Sequence, residues 1–400
     1  MRIAVVCTDL GIKIPGDKGA SLHLAAISRA FAMAGHNVLL VAVGGHGAPP
    51  DGMQHLLLAH PGRSTGLRRE LRKLRFVAHA PFAAGTALEE FRPDVLYERL
   101  SLFGTAGKRM AERTGARHVV EINALLAREE QQWRGLRLGM LARRRERAAL
   151  NHATLRVAVS AEVAAQVDEV APGGRTVVVA NGVDLDLFVD LADRESARRR
   201  LGLSPDSCAA VFVGALRPWH GLDIAIRALP DAPPHLRLVV AGDGPLAGEL
   251  RALAEGLGVS DRVDWLGHVP HDAVPGVLAA ADIALAPYPD LSTFSFSPLK
   301  LYEYLAAGTP VVASHIGQIA DVLAGGRYGT LVAPGDPIAL AEAFDRIARD
   351  PAPARRVAAI ARSHALEHFG WQRRAEEIVD HIRASETARD RQGVHGALAG

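Results

Sequence analysis

The sequence predicts an α/β protein made of two doubly wound, Rossmann-like domains that face each other across a cleft. Short runs rich in valine, isoleucine and leucine alternate with helical stretches along most of the chain. Such continuous apolar runs between helices are typical of parallel strands buried on both faces of a sheet. The alternation pauses at a polar stretch, 190–207, and then starts again, which predicts two domains of similar size.

The first half begins with an apolar run at 3–8 that predicts a strand. A glycine-containing loop leads from it into a predicted helix at 21–35. The later strand candidates of this half, most of them separated by helical segments, are 37–43, 55–60, 94–97, 117–122, 155–160 and 176–180. The strand candidates of the second half are 209–214, 236–242, 262–267, 282–287, 310–314 and 330–334.

Composition narrows the class of protein. The 400 residues are 48% hydrophobic and 22% charged, and the formal net charge of +2 gives no reason to expect nucleic acid as a partner. Cys7 and Cys208 each lie in or beside an apolar run, as buried core thiols do, which suits a reducing cytoplasm. The N-terminal apolar run is too short for a signal peptide, and no run approaches the roughly 18 residues of a membrane helix. We therefore expect a cytoplasmic protein.

Ligands of doubly wound sheets bind at the carboxyl ends of strands, beside loops that begin helices. Three such loops of the second half carry glycines or cations. They contribute Gly214, Arg217 and His220, then Gly242 and Gly244, then Lys300. Helix N-termini favour anions, so a diphosphate fits this set.

The third loop leads into SPLKLYEYLAAG, where Ser297 is the expected N-cap and Pro298 the first helical residue. Lys300 and Glu303 are three residues apart and share one face of that helix. Such a pair is most often a surface ion pair. Combined with the other loops, it predicts that Glu303 accepts hydrogen bonds from two sugar hydroxyls.

These segments resemble a known family. FVGALRPWHGLD, VVAGDGP, WLGHV, AADIALAPY and SPLKLYEYLAAGTPVVAS are similar, in order and spacing, to the nucleotide-sugar-binding domain of retaining glycosyltransferases of the family-four, GT-B class. NGVDLDLF resembles the end of that family's first domain, and FGWQRRAEEIV its returning C-terminal helix. The expected organisation is an acceptor-side domain at 1–190, a nucleotide-sugar-binding domain at 191–368, a crossing helix at 369–385 and a flexible tail at 386–400.

The resemblance implies roles for individual residues. Glu303 would bind the ribose hydroxyls, the amides of Leu299 and Lys300 the diphosphate, and Gly19 would close over the phosphates. The main chain from Gly267 to Val269 would hold the base. The full set of donor-side candidates is Gly19, Gly214, Arg217, His220, Gly242, Gly244, Gly267, His268, Val269, Ser295, Ser297, Leu299, Lys300 and Glu303.

The sequence departs from the family pattern at four positions. Ala215 stands where the family has a phosphate-binding arginine, for which Arg217 is the candidate substitute. His220 replaces a lysine, and it could contact phosphate by a neutral N–H or when protonated. Ser295 replaces the glutamate that contacts the donor sugar. Asn123 stands where many relatives have histidine.

In the first half, two strand ends carry polar residues that we expect at the cleft edge. Glu98 and Asn123 are the catalytic candidates there, with Arg217 and His220 from the second half. The acceptor-side candidates are His23, Arg99 and Glu121. The alternative for His23 is a packing role, and the alternative for the polar residues at the two strand ends is hydrogen bonding within their loops.

The implied activity is retaining transfer of a hexose-type sugar from a nucleotide-diphosphate sugar to a hydroxyl acceptor. The acceptor would be a glycan, a lipid-linked molecule or a small molecule, and no cofactor, metal or protein nucleophile is expected. Two arginine clusters, 63–76 and 134–148, are either docking sites for an anionic membrane surface at the inner face or solvated helix faces.

Other classes predict different patterns. A catalytically silent nucleotide-sugar-binding subunit would keep the same motifs, so this alternative stays open. A dinucleotide-dependent oxidoreductase or epimerase needs G-x-G-x-x-G after the first strand, and Gly11, Gly16 and Gly19 lack that spacing. Asp184 and Asp186 match a D-x-D metal motif but belong to the NGVD segment, so we expect no metal site.

Overall fold

The computed structural model describes residues 1–291, 294 and 297–397, and for 386–397 it describes the main chain. The chain divides into two compact units. The first contains Met1–Asn181, Ser297 and the residues from Trp371 onward, and the second contains Gly182–Phe294 and Pro298–Gly370. No helix of the described part is both long and apolar enough to cross a membrane.

Fourteen described strands form two sheets in which every pairing is parallel. The strands of the first unit are β1 (Arg2–Cys7), β2 (Lys13–Ile14), β3 (Asn37–Gly44), β4 (Gln54–Leu58), β5 (Val95–Arg99), β6 (Arg117–Ile122), β7 (Leu155–Ala158) and β8 (Thr176–Val178). Those of the second unit are β9 (Cys208–Val213), β10 (Leu236–Ala241), β11 (Val263–Gly267), β12 (Ile283–Ala286), β13 (Val311–Ser314) and β14 (Thr330–Val332).

The described helices connect the strands, as the sequence predicts. They are α1 (Gly19–Met33), α2 (Gly66–Ala83), α3 (Gly85–Phe91), α4 (Ala106–Thr114), α5 (Leu126–Arg134), α6 (Gly139–His152), α7 (Ala161–Val170), α8 (Arg194–Arg200), α9 (Leu222–Ala228), α10 (Ala247–Gly256), α11 (Val274–Ala279), α12 (Leu299–Ala307), α13 (Gln318–Val322), α14 (Pro337–Arg349), α15 (Pro351–His368) and α16 (Trp371–Ala397).

Both sheets have doubly wound order. In the first unit β3 pairs with β1, β2 and β4, and the sheet continues from β1 through β5, β6 and β7 to β8. In the second unit the order is β11–β10–β9–β12–β13–β14. In each sheet the chain starts near the middle, winds to one edge, and returns to the middle to build the other half. The predicted fold class, with two Rossmann-like parallel sheets, is confirmed.

Continuous apolar strands explain why the sheets are interior layers. The second unit's core packs valine, alanine and leucine side chains of β9, β10 and β12 against apolar residues of α9, α10 and α14. Cys7 and Cys208 are both free thiols buried in their strands, as expected.

The structure differs from the sequence-based organisation at two boundaries. The division falls after Asn181 rather than after residue 190, because the Val183 amide donates to the Phe369 carbonyl (2.8 Å) within the second unit. The last helix runs to Ala397, beyond the predicted end at 385, and no proline interrupts it. Its beginning packs on α1 in the first unit, where the rings of His23 and Trp371 meet edge to face at 4.7 Å.

Candidate functional site

The strand order of the second unit defines where a ligand would bind. The winding direction reverses between β9 and β12, and open α/β sheets bind ligands outside the carboxyl ends of the strands at such a point. Gly214 follows β9 directly, and Tyr288 lies two residues after β12. The side chain of Lys300 in the first turn of α12 reaches the same place, so three separate segments meet there.

Lys300 is the most unusual residue of this site. Its side chain is only 8% exposed, and its ammonium nitrogen has no hydrogen-bond partner among the described residues. The Nζ atom lies 4.0 Å from the centre of the Phe212 ring and 5.7 Å from that of Tyr288. Burial lowers the pKa of Lys300 to about 7, although the charge of Glu303 opposes this shift. Lys300 is therefore a partly desolvated cation held by aromatic faces without an anion in contact.

The absence of a side chain at Gly214 leaves room for the end of the Lys300 side chain. Gly214 has φ +140°, and a side-chain carbon there would lie 3.1 Å from Lys300 Nζ. A side chain at Gly242 would lie 1.9 Å from the Gly214 carbonyl oxygen, which no relaxation of a side chain could relieve. Gly244 packs in the same way against the main chain of Leu216. These glycines thus let the loops after β9 and β10 pack together beside the lysine.

His220 is half-buried beside Lys300. Its Nδ1 is 2.5 Å from the Ala215 carbonyl oxygen, which can only accept, so Nδ1 carries the proton. Burial, Lys300 and Arg217 lower the pKa of His220 to about 3, which keeps the ring neutral. The neutral ring presents Nε2 as an acceptor. This corrects the expectation that a neutral N–H of His220 contacts phosphate.

Arg217 is half-buried, with its guanidinium carbon 5.8 Å from the centre of the Trp219 ring. It forms no ion pair with a described residue of the chain. The amides of Leu299 and Lys300 lie at the start of α12, where helix geometry provides no carbonyl partner. The second unit thus supplies a cationic residue and the N-terminus of a helix, both of which suit an anion.

Glu303 is also buried, at 8% exposure, one turn along α12. Its Oε1 lies 2.8 Å from Nε2 of His271, a residue that follows the loop after β11. Burial alone would lower the pKa of His271, but its hydrogen bond to Glu303 and the nearby charges of Glu303, Asp184 and Asp272 raise it overall. The sequence-predicted ribose ligand is therefore already held by a histidine that motif spacing did not reveal.

The proposed base-binding segment ends β11. Gly267 has φ +69°, His268 is exposed and Val269 is half-buried. Ser297 does not cap α12: Pro298 precedes the first helical residue, Leu299, and the Ser297 carbonyl accepts from the Asn181 side-chain amide at 2.6 Å. Ser295 lies outside the described residues.

The polar residues of the first unit form a buried network around Glu121. Its carboxylate accepts from Tyr97 Oη (2.7 Å), from an Arg99 guanidinium nitrogen (2.7 Å) and from the Asn123 amide, and His23 Nε2 lies 2.9 Å away. Burial opposes the ionisation of Glu121 and also lowers the pKa of His23, so we take His23 as a hydrogen-bond partner rather than a full charge. The charge of Arg99 and the hydrogen bonds from His23 and Tyr97 hold the pKa of Glu121 well below its usual value.

All three acceptor-side candidates belong to this network. Glu121, His23 and Arg99 are 2%, 4% and 8% exposed, and they bond to one another. One polar atom of the three side chains, His23 Nδ1, has no hydrogen-bond partner among the described residues. Asn123 is half-buried and is the remaining candidate of this group. Gly19 begins α1 in the same unit.

Glu98 is a clearer correction. It is fully buried, its Oε1 accepts from the Gly107 amide (3.1 Å), and its Oε2 is 2.9 Å from His118 Nε2. Successive side chains of a strand point to opposite faces, so Glu98 projects away from Tyr97 and Arg99 and beneath α4. Both carboxylate oxygens of Glu98 are thus held by partners inside the first unit, away from the predicted cleft edge.

Comparison with known proteins gives the family. The model described as "Glycosyltransferase Family 4" matches residues 18–187, and the model described as "Glycosyl transferases group 1" matches 208–350. The two models therefore match successive parts of the chain that lie almost entirely within the first and second units.

Curated relatives match about half of the chain. The D-inositol 3-phosphate glycosyltransferase of Streptomyces avermitilis is 35% identical over 234 residues, which cover 56% of this chain and 49% of that protein. The protein of the same name from Acidothermus cellulolyticus is 36% identical over 215 residues, covering 50% and 46%. The chain thus spans about half the length of these relatives.

Solved structures match over nearly the whole chain. Sucrose-phosphate synthase of Thermosynechococcus elongatus superposes with a TM-score of 0.80 at 22% identity, covering 97% of this chain and all of that one. The Anabaena protein HepE, in complex with UDP-glucose, superposes with a TM-score of 0.71 at 21% identity, covering 96% and 100%. At these identities the likeness shows the fold. Taken together, the two family models and the two parallel sheets show that the chain contains a family 4 glycosyltransferase domain followed by a group 1 glycosyltransferase domain, and that it has the GT-B fold.

Proposed function

We propose that this protein is a retaining glycosyltransferase that moves a hexose-type sugar from a nucleotide-diphosphate sugar to a hydroxyl acceptor without a metal. The observation that carries the proposal is the buried, unpaired ammonium of Lys300 beside Gly214 at the switch point of the second sheet. A buried cation without a partner destabilises the fold unless an anionic ligand compensates for its lost hydration. The diphosphate of a sugar donor is such a ligand.

The chemistry requires that negative charge be stabilised as the donor breaks. The bond from the anomeric carbon to the diphosphate oxygen breaks, and its electron pair leaves with the diphosphate. The acceptor oxygen bonds to the same face of that carbon, and its proton passes to the departing phosphate. Lys300 and the amides that begin α12 stabilise the leaving charge, with Arg217 as a further candidate. Glu303 would hold the ribose hydroxyls.

The relatives support the donor class. HepE was solved with UDP and with UDP-glucose, and the curated relatives are named as glycosyltransferases of an inositol phosphate. Neutral His220 has no free N–H to donate to a phosphate, because its Nδ1 proton points at the Ala215 carbonyl oxygen. This supports Lys300 as the residue that contacts the phosphate in place of the family's lysine.

A panel of UDP-, GDP-, ADP- and dTDP-sugars tests the proposal. We expect one donor to raise the melting temperature and then to support transfer to a hydroxyl acceptor, with the product keeping the donor's anomeric configuration in proton NMR spectra. We also expect transfer to persist in EDTA. Stabilisation without turnover on a broad acceptor set would favour the catalytically silent subunit, and no stabilisation by any donor would reject both.

The basic segment 63–76 supports a second part of the proposal, docking on an anionic membrane. Helix α2 borders a groove of about 950 Å³, whose apolar lining includes Leu71 and Phe76. Three arginines, Arg68, Arg72 and Arg75, also line it and form no ion pair with a described residue.

Elsewhere on α2, Arg69 (2.7 Å) and Lys73 (3.4 Å) are paired with Glu130. Exposed apolar side chains, Leu67, Leu71 and Phe82, lie along the same helix.

The apolar residues of the second basic segment, 134–148, pack mostly inside the first unit. Leu136 is buried, and Leu138 and Leu141 pack against the small core cluster around Leu102 and Phe103. Only Met140 of its apolar residues is strongly exposed, at 82%. The apolar face of this segment is used within the first unit, so the proposal of membrane contact is restricted to 63–76.

Charge reversal distinguishes the two segments. Because each basic residue near an anionic surface contributes about 1 kcal/mol, the double variant Arg72→Glu/Arg75→Glu should weaken binding to vesicles rich in anionic phospholipid by at least about 30-fold. The matched variant Arg144→Glu/Arg147→Glu on α6 should change it far less. Co-sedimentation with anionic and neutral vesicles measures both. Equal losses in the two variants would indicate attraction by overall charge, and no binding by the wild type would reject docking.

A further inference from the structure

His271 and Glu303 form a contact that the proposed function does not use. His271 begins a short helical turn, His271–Ala273, directly after the loop that follows β11. Its Nε2 lies 2.8 Å from Glu303 Oε1, so residues 32 positions apart are joined. The His271 side chain is 26% exposed and that of Glu303 is 11% exposed, so the pair lies at the protein surface but is largely shielded from water.

The surroundings favour a stable contact. Like Glu303, Asp272 on the same turn and Asp184, just before the turn at 185–188, raise the pKa of His271 through their charges. Helix α11, which packs beside the turn, contributes no titratable side chain. On the other side of Glu303, Lys300 exerts a favourable charge interaction. Glu303 is therefore flanked by two cationic or potentially cationic groups, and among the side chains that the structure describes only His271 bonds to it.

The contact with His271 holds one of the two carboxylate oxygens of Glu303, Oε1, and leaves Oε2 for a ligand. With Oε1 held by His271, rotation of the carboxylate would break a hydrogen bond, so Oε2 keeps one orientation. A preorganised acceptor binds a hydroxyl more tightly than a mobile one, because less conformational entropy is lost on binding. Selectivity for a hydroxyl depends on this arrangement, since a ligand without the hydroxyl leaves the buried acceptor unpaired.

We propose that His271 is a positioning residue that orients Glu303 toward the ribose hydroxyls and so gives the site its preference for ribonucleotides over 2′-deoxyribonucleotides. The inference rests on the proposed function, because it takes Glu303 as the ribose ligand. His271 itself need not touch the nucleotide.

The test compares matched pairs of ligands on matched variants. Calorimetric dissociation constants are measured for UDP, GDP and ADP and for their 2′-deoxy forms, with wild type, His271→Ala, His271→Asn, His271→Gln and Glu303→Gln. Glutamine can place an N–H near the position of Nε2, whereas the shorter asparagine cannot reach Oε1. Circular dichroism checks that each variant is folded.

We expect the wild type to prefer the ribo form of one base by about 10- to 100-fold, as a hydrogen bond to a charged group allows. His271→Ala and His271→Asn should lower this preference to about threefold or less, mainly by weakening the ribo form. His271→Gln should restore most of it. If alanine destabilises the fold, the comparison of asparagine with glutamine carries the test.

The possible failures can be told apart. If the wild type binds none of the ribonucleoside diphosphates, the inference is overturned. The proposed function fails with it only if no dTDP-sugar of the donor panel binds either. If Glu303→Gln loses the preference while the alanine and asparagine variants keep it, only the role of His271 is rejected. Equal weakening of ribo and deoxy forms in the His271 variants would show a merely structural role and would also overturn the inference.

Discussion

Replacement of Lys300 by methionine should lower kcat/KM by about 10²- to 10³-fold, the loss expected when one preorganised donor to a developing anion is removed. The same change should leave the protein at least as stable as the wild type. Methionine has similar length and suits the aromatic surroundings of Phe212 and Tyr288. It also removes a buried ammonium that has no described partner.

Steady-state kinetics with the donor found in the panel and thermal unfolding measure the two effects. Arg251→Met is the matched control, because Arg251 also lies over an aromatic ring, Trp265 at 5.0 Å, but on α10. This control should keep wild-type kcat/KM. A Lys300→Met enzyme of normal activity, or one that is strongly destabilised, would contradict the role given to the ammonium.

The pH dependence of stability follows from the same residue. The pKa of Lys300 in the folded chain is about 7, below the ordinary 10.5 that the unfolded chain approaches. Between these values the unfolded state binds more protons, so Lys300 makes stability rise with pH, by at most about 1.4 kcal/mol per unit. Below pH 7 both states are protonated, and above 10.5 neither is. The methionine variant should lack this contribution to the slope.

Glu303→Gln should raise the dissociation constant of the bound nucleoside diphosphate by about 10- to 100-fold, because a charged acceptor for the ribose hydroxyls becomes neutral. Glutamine keeps the size of the side chain, so the change tests charge and not packing. Isothermal titration calorimetry gives the constant. Glu342→Gln, an exposed site on α14, is the control and should stay at the wild-type value. A change of less than about twofold in the Glu303 variant would exclude it as a ribose ligand.

The fold could be predicted from the sequence because parallel strands buried on both faces have a distinctive composition. Runs such as 209–214 and 236–242 are nearly all apolar, and they form β9 and β10, which are paired on both sides in the second sheet. Lys300 and Glu303 could be found because they interrupt an apolar helix three residues apart. Their burial could not be predicted, since helical spacing alone is the same for a surface ion pair.

Other side-chain positions cannot be predicted from the sequence, for physical reasons. Glu98 lies near a strand end, where the sequence predicts the cleft edge, but strand alternation sends it to the opposite face from Arg99. Glu121 is polar and follows the next strand, yet three side chains donate to its carboxylate. His271 was missed because its partner is 32 residues away and no periodic pattern joins them.

The central claim is that Lys300 binds the diphosphate of the donor. The most direct test is to measure how much the diphosphate contributes to binding with and without the Lys300 ammonium. Calorimetry should compare a nucleoside diphosphate with its parent nucleoside, on the wild type and on Lys300→Met. We expect the wild type to prefer the diphosphate by about 100-fold or more, and the variant to lose at least about tenfold of that preference while its affinity for the nucleoside is unchanged. An equal preference in both proteins would show that Lys300 does not bind the diphosphate and would contradict the account.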